Sequence, residues 1–289
     1  MIKNIEAKSI LSKLNRNDSM FGISYNMNLY RGCQHGCIYC DTRSDCYGIG
    51  DISQISVKTN AIELLHKELR SKRKKGTIGT GSMNDPYMPI EAELGITRKA
   101  LTEIADVKFP VHVITKGDIV TRDYDLLQEI GKTYAAVSVT ITTFDDKLAK
   151  KIEPNAPNTS DRFKVLKFLA EKGIYTGITL MPLLPYVNDT EKNLISIIRK
   201  AYDMGVSYII PMFGLTLRKG NREYLYRVFE KEFPELRNTY ELAFKEQYVC
   251  NSANYRQLER CFYTEAAKYN IAYRMRFYQP EPDPQLSLF

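Results

Sequence analysis

Residues 28–43 read NLYRGCQHGCIYCDTR, and the fold is decided by this stretch and by what precedes it. Cys33, Cys37 and Cys40 form a C-x3-C-x2-C pattern directly after the run 24–30, which is β-branched and aromatic enough to be a strand. A structural zinc site wants four ligands, with the C-x2–4-C spacing repeated in a second pair. No second pair follows, and beyond His35 inside the loop the other histidines, His66 and His112, are remote. Three thiolates this close suit an iron–sulfur cluster. Three ligands on a four-iron cube would leave one iron open to a substrate or cofactor. Gly32 and Gly36 fit a loop that wraps a compact group, because glycine tolerates the tight turns required.

Working outward, six nearly continuous apolar runs recur at 24–30, 77–80, 111–115, 135–141, 175–181 and 207–212. Such runs suit strands buried on both faces. Amphipathic segments lie between them. Ile62, Leu65 and Leu69 recur at helical spacing, 123–130 and 163–172 behave alike, and Gly131 and Gly173 sit where helix C-caps belong. Six strand-then-helix units predict an α/β fold, a partial (β/α)6 TIM-type barrel. A full eight-unit barrel takes about 250 residues, whereas here the alternation stops near residue 215. The expected organisation is a barrel over 1–215, a mainly helical C-terminal extension over 216–278 and a flexible tail over 279–289. Within the extension, helices are expected over 219–233 and 253–268, then a short strand-like run over 272–277.

Composition narrows the class. The chain has 289 residues, 44% of them apolar, which excludes disorder as the main state. No stretch approaches the ~18 apolar residues of a membrane span, and the N-terminus lacks the apolar core of a secretory signal. A cytoplasmic location is therefore expected. Six cysteines in a reducing compartment point to metal or chemistry rather than to disulfides. The net charge of +7 permits a polyanionic partner without requiring one.

With Tyr39 at the aromatic position of C-x3-C-x-aromatic-C, the sequence resembles the radical S-adenosylmethionine (SAM) superfamily. Within it, the likeness is to the spore photoproduct lyase-like, or DNA repair photolyase-like, group. It runs over roughly residues 20–215, through NLYRGCQHGCIYCDTR, VKTNAIELLHKEL, GSMNDPYMPIE, ITKGDIVTRDYDLL, SVTITTFDDKLAKKIEP and TLMPLLPYVND. The resemblance implies a [4Fe-4S] cluster on Cys33, Cys37 and Cys40, whose open iron binds the methionine amino and carboxylate groups of SAM. One-electron reduction of the sulfonium then releases methionine and a 5′-deoxyadenosyl radical. Carried over residue by residue, Asn84 serves the methionine end, and Asp85 shapes that loop or contributes an acceptor. Lys116 meets the carboxylate and Ser138 the ribose. Tyr39 packs on the cluster and approaches the adenine, and Met181 lines the adenine pocket. Glu91, Glu153 and Arg162 read as structural ion pairs.

Photoproduct lyases carry a cysteine where this sequence has Ser82, and use it as hydrogen donor to the product radical. An O–H bond is much harder to break homolytically than S–H, so the replacement donor is expected to be Cys46 or a tyrosine. Cys250 and Cys261 have no ligand spacing.

For partners, the run KELRSKRKKG (67–76) ends a helix, where cations are favoured anyway. The C-terminal part adds Arg218, Lys219, Arg222, Arg227, Arg256, Arg260, Arg274 and Arg276, interleaved with Tyr224, Tyr226, Tyr255, Tyr263 and Tyr278. That mixture suits nucleic acid, where phosphates pair and bases stack; it follows equally from a tyrosine-rich composition. Residues 285–289, with Gln285, Leu286, Leu288 and Phe289, resemble the QL[SD]LF peptide that docks bacterial replication and repair proteins on the DNA polymerase sliding clamp. The expected partners are thus nucleic acid (DNA favoured), the clamp and an electron donor, with no membrane. The expected function is a radical SAM enzyme acting on DNA in a repair-type lyase reaction. The alternatives are the same chemistry on RNA, a peptide or a metabolite, and a non-catalytic, metal-stabilised nucleic-acid-binding module.

Overall fold

Six parallel strands lie side by side in chain order: β1 (Ile23–Met27), β2 (Thr77–Thr80), β3 (Val111–Thr115), β4 (Ala135–Thr140), β5 (Tyr175–Leu180) and β6 (Tyr208–Pro211). The computed structural model describes residues 2–15 and 18–280. A short antiparallel strand, Leu11–Lys13, flanks β1. All six residues of β4 are buried, the reason its sequence does not alternate. Between strands the chain crosses over through α1 (Ala61–Ser71), α2 (Ile96–Asp106), α3 (Tyr124–Gly131), α4 (Asp146–Ile152), α5 (Thr159–Glu171) and α6 (Glu191–Asp203). In α1 the buried residues are Ala61, Leu65 and Leu69, one per turn. Thr190 caps α6, its hydroxyl accepting from Asn193 N at 3.2 Å. The result is the partial (β/α)6 barrel, as the strand–helix count predicts. Among the described residues no helix is long and apolar enough to cross a membrane.

Three local expectations need correction. The first strand ends at Met27 rather than at residue 30. Tyr30–Arg31 instead joins a separate small sheet with Ser56–Lys58 and Lys3–Ile5. Lys58 Nζ fastens the turn by donating to Asn28 O at 2.6 Å. The helix expected over 219–233 is α7 (Asn221–Glu232), and a further helix follows, α8 (Leu236–Phe244), which sequence reading passed over. Third, 272–277 makes one bridge, Ala272 to Tyr208, and no strand. Its Met275 and Phe277 are packed among Phe21, Tyr208 and Ile210 at the floor of the barrel, so side-chain burial wins over backbone pairing.

The last helix, α9 (Tyr255–Lys268), returns to the barrel. Leu258, Phe262 and Ala266 enter the main core, and Arg199 on α6 pairs with Glu265 at 2.8 Å. By contrast α7 and α8 form a second cluster around Phe229 and Tyr240, packed on Ile38 and Tyr39 of the cysteine loop.

Candidate active site

The C-terminal ends of barrel strands are where sites are built. Here they and the cysteine loop enclose a cavity of about 300 Å³. Cys33, Cys37 and Cys40 line it, together with Tyr39, Asn84, Asp85, Lys116 and Met181. Its size is at the small end for small-molecule sites.

The loop is held from two sides. At Gly32, with φ +86°, a Cβ would lie 2.7 Å from Ile52 O and 2.8 Å from Gln54 O, so only glycine lets the chain pass. Cys33 N donates to Ile52 O at 2.8 Å, and Ile38 N to Ile152 O at 2.9 Å. The Tyr39 hydroxyl donates to Glu153, which pairs with Arg162 at 2.6 Å; both charges are buried. Burial alone would raise the Glu153 carboxyl; Arg162, Lys116 and the Tyr39 hydroxyl outweigh it and hold the group below the usual carboxylate range. Arg162 also donates to Thr140 O at 3.0 Å, tying the loop to the end of β4. Glu91 pairs with Arg122 at 2.8 Å, so the expected structural ion pairs are present.

Asp85 shapes its loop. Its carboxylate accepts from Thr115 Oγ1 at 2.5 Å, Lys116 N at 2.6 Å and Tyr87 N at 2.9 Å, and faces His35 Nε2 at 3.0 Å. Burial opposes its ionisation, yet His35 and these donors hold it well below the usual range. Its oxygens thus accept from protein donors while the residue also lines the cavity. Asn84 donates to Tyr30 O at 2.8 Å and stays on the cavity wall.

Lys116 brings a cation to the cavity wall. Its ammonium lies 5.7 Å from the Tyr39 ring centroid; burial opposes its charge, whereas Cys37, Glu153 and Asp85 favour it, although none of the ion pairs among the described residues includes it.

Two candidates do not reach the cavity. Ser138 is fully buried lower in β4, where its hydroxyl bonds His112 Nε2 and Tyr208 OH, each at 2.7 Å. Thr140, two residues on and therefore on the same face, lines the cavity instead. Cys46 is exposed on the turn Asp45–Tyr47, with Sγ 3.8 Å from Arg218 Nη1. The turns after Cys40 carry it outward. Among the basic residues, Arg222 is buried and donates to Leu217 O and Gln247 O, so it offers nothing to a phosphate. The clamp-like residues Gln285, Leu286, Leu288 and Phe289 lie outside the described residues.

Sequence reading missed three contributions. His35 was weighed only as a metal ligand. Thr140 was recoverable from the two-residue period of a strand. Met212, Leu215 and Thr216 line the cavity because the chain doubles back after β6, which no pattern signals.

The donors fit a cluster. All three cysteines are free thiols; burial pushes Cys33 up to about 11 and Cys37 to about 12. Cysteines so placed become thiolates when a metal replaces their protons. Three thiols from one short loop on one cavity suit the irons of an iron–sulfur cluster.

Comparison with known proteins agrees. A sequence profile of the Radical SAM superfamily matches residues 27–214. An uncharacterised protein of Methanocaldococcus jannaschii is 33% identical over 217 residues, 74% of this chain and 78% of its own. One of Mycobacterium bovis is 28% identical over 289 residues, 96% of this chain and 84% of its own. Spore photoproduct lyase, solved as a mutant with bound AdoMet and dinucleoside spore photoproduct, shares the fold. Its TM-score is 0.70 at 13% identity, over 93% of this chain and 78% of that one.

Proposed function

The chain belongs to the radical SAM superfamily, and from that premise we propose an enzyme that opens SAM reductively to act on nucleic acid, DNA first, in a repair-type lyase reaction. Cys33, Cys37 and Cys40 hold the [4Fe-4S] cluster. When bound, cluster and SAM supply one-electron cleavage of the sulfonium and a radical that abstracts hydrogen. Everything else falls to the chain's own side chains. Lys116 meets the methionine carboxylate, and this cation, without an ion pair among the described residues and on the same cavity as the three thiols, is the observation that carries the reading. Asn84 orients the same end, Tyr39 covers the cluster, and Thr140 and Met181 face the nucleoside half. Asp85, facing His35, fixes the backbone of Lys116.

Support for DNA comes from the dinucleoside photoproduct bound to the structurally similar lyase. Ser82 lines the cavity where a thiol donor would be wanted, which argues for a product or a hydrogen donor different from that enzyme's. Docking on the sliding clamp through residues 285–289 belongs to the same proposal.

After anaerobic reconstitution with iron and sulfide, SAM plus dithionite should release 5′-deoxyadenosine, and Cys37→Ala should not. A fully iron-loaded protein that releases none overturns the enzymatic reading. Acceleration by ultraviolet-irradiated oligonucleotide, and not by RNA or peptides, supports DNA; the reverse pattern removes it. Deleting residues 285–289 should abolish binding to a purified clamp and leave SAM cleavage intact.

A further inference from the structure

We propose that a basic groove behind the cysteine loop is the docking surface for an acidic, low-potential electron-carrier protein. The inference rests on the radical SAM reading above, which requires a one-electron donor. The groove, of about 850 Å³, is lined by Ile38, the residue next to Cys37, and by faces of α4 and α7. Lys147, Lys150 and Lys151 come from α4, Arg227 and Lys231 from α7. All five are exposed, and among the described residues none forms an ion pair. Glu232 is the one acid on the lining.

Helix dipoles favour cations in a last turn, which accounts for Lys150, Lys151 and Lys231. They do not account for Lys147 in the first turn of α4 or Arg227 in the body of α7. Like charges three and four residues apart also oppose each other. A cluster of this kind is relieved by an anionic partner, and complementary charge speeds the encounter.

Position selects among anions. No residue lining the groove also lines the cavity. Ile38 faces the groove, whereas Cys37, Tyr39 and Cys40 face the cavity. A carrier docked on the groove therefore reaches the loop from behind and leaves the cavity free for substrate. A nucleic-acid strand lying there would be separated from the cavity by the loop itself. Tyr224, with the Arg43 guanidinium 3.7 Å over its ring, ties this wall to the turn after Cys40. In the transfer one electron leaves the carrier and enters the cluster; no bond forms or breaks.

The test uses the reconstituted full chain and a purified acidic flavodoxin as probe. The triple variant Lys147→Glu, Lys150→Glu, Arg227→Glu should weaken flavodoxin binding by at least about tenfold, the scale of a few lost charge contacts. Reduction of the cluster by reduced flavodoxin, followed in the visible absorbance, should slow in parallel, whereas reduction by dithionite is unchanged. The milder Lys147→Gln, Lys150→Gln pair should shift binding in the same direction, which guards against misfolding. Undiminished flavodoxin binding overturns the proposal. So does a triple variant that keeps flavodoxin and loses an oligonucleotide, since the groove would then be a phosphate track. Dithionite-driven 5′-deoxyadenosine release reports separately on the enzymatic reading, because it bypasses the groove.

Discussion

Lys116→Met keeps the bulk of the side chain beside Tyr39 and removes its charge. A hydrogen bond to a charged group contributes about 1.5–3 kcal/mol, so SAM affinity of the reconstituted protein should fall by roughly tenfold to a hundredfold. Equilibrium SAM titration measures this, and an unchanged affinity would return Lys116 to an ordinary strand-end lysine. Ser138 and Thr140 should separate in the same assay. Ser138→Ala leaves His112 and Tyr208 without their shared partner and should cost about 1–3 kcal/mol in denaturant unfolding, with SAM affinity intact. Thr140→Val should lower SAM affinity and, because the Thr140 hydroxyl is bonded to Thr179 Oγ1 at 2.8 Å, should cost stability as well. The strand face was legible in sequence because side chains alternate; the depth along that face was not, since Ser138 and Thr140 present the same pattern. His112 adds a pH signature. Burial pushes its imidazole down to about 3, whereas an unfolded histidine titrates near ~6.5. Between those values only the unfolded chain binds the proton, so stability is full above about pH 6.5 and falls as pH is lowered toward 3. His112→Gln should lose less stability than the native chain between about pH 7.5 and about pH 5, each compared with itself.

The cysteine loop keeps its shape through a neighbouring element. Tyr39, Glu153, Arg162 and the carbonyl of Thr140 form one buried chain from loop to strand β4. Breaking a buried ion pair by neutralising one partner typically costs about 3–5 kcal/mol. Glu153→Gln should therefore lower the melting temperature and reduce the iron bound after reconstitution. Full iron loading at reduced stability would limit the pair to holding the fold. Strands such as β3 and β4 could be read from sequence because burial on both faces leaves a nearly continuous run, whereas β1 shows the alternation of Tyr25 and Met27. The end of β1 could not, because Leu29 continues the alternation of Tyr25 and Met27 while Lys58 and the small sheet, remote in sequence, pull the chain aside. For the same reason the strand-like 272–277 failed: Met275 and Phe277 carry strand composition but fill the barrel floor.

Across the whole molecule, the cations matter more by place than by number. Arg222 is consumed by carbonyl oxygens, and Arg218 by Asp41 at 3.1 Å and Tyr248 OH at 2.9 Å. The five cations of the groove remain without ion pairs among the described residues. Rising salt should weaken a carrier bound there in the 50–200 mM range, where surface charges are screened beyond about a Debye length, ~8–10 Å. The cofactor half of the site was legible because it rests on a short contiguous motif and on strand ends. The partner surface was not, because Ile38, α4 and α7 meet only in the fold. The packing of Phe277 against Gly22 and Phe21 bears on the order of events in synthesis. Nearly the whole chain lies between these contacts, so a ribosome can release strand–helix units one by one while the barrel floor stays open. Closure waits for residues 272–277, and until they are made Phe21, Tyr208 and Ile210 lack that cover.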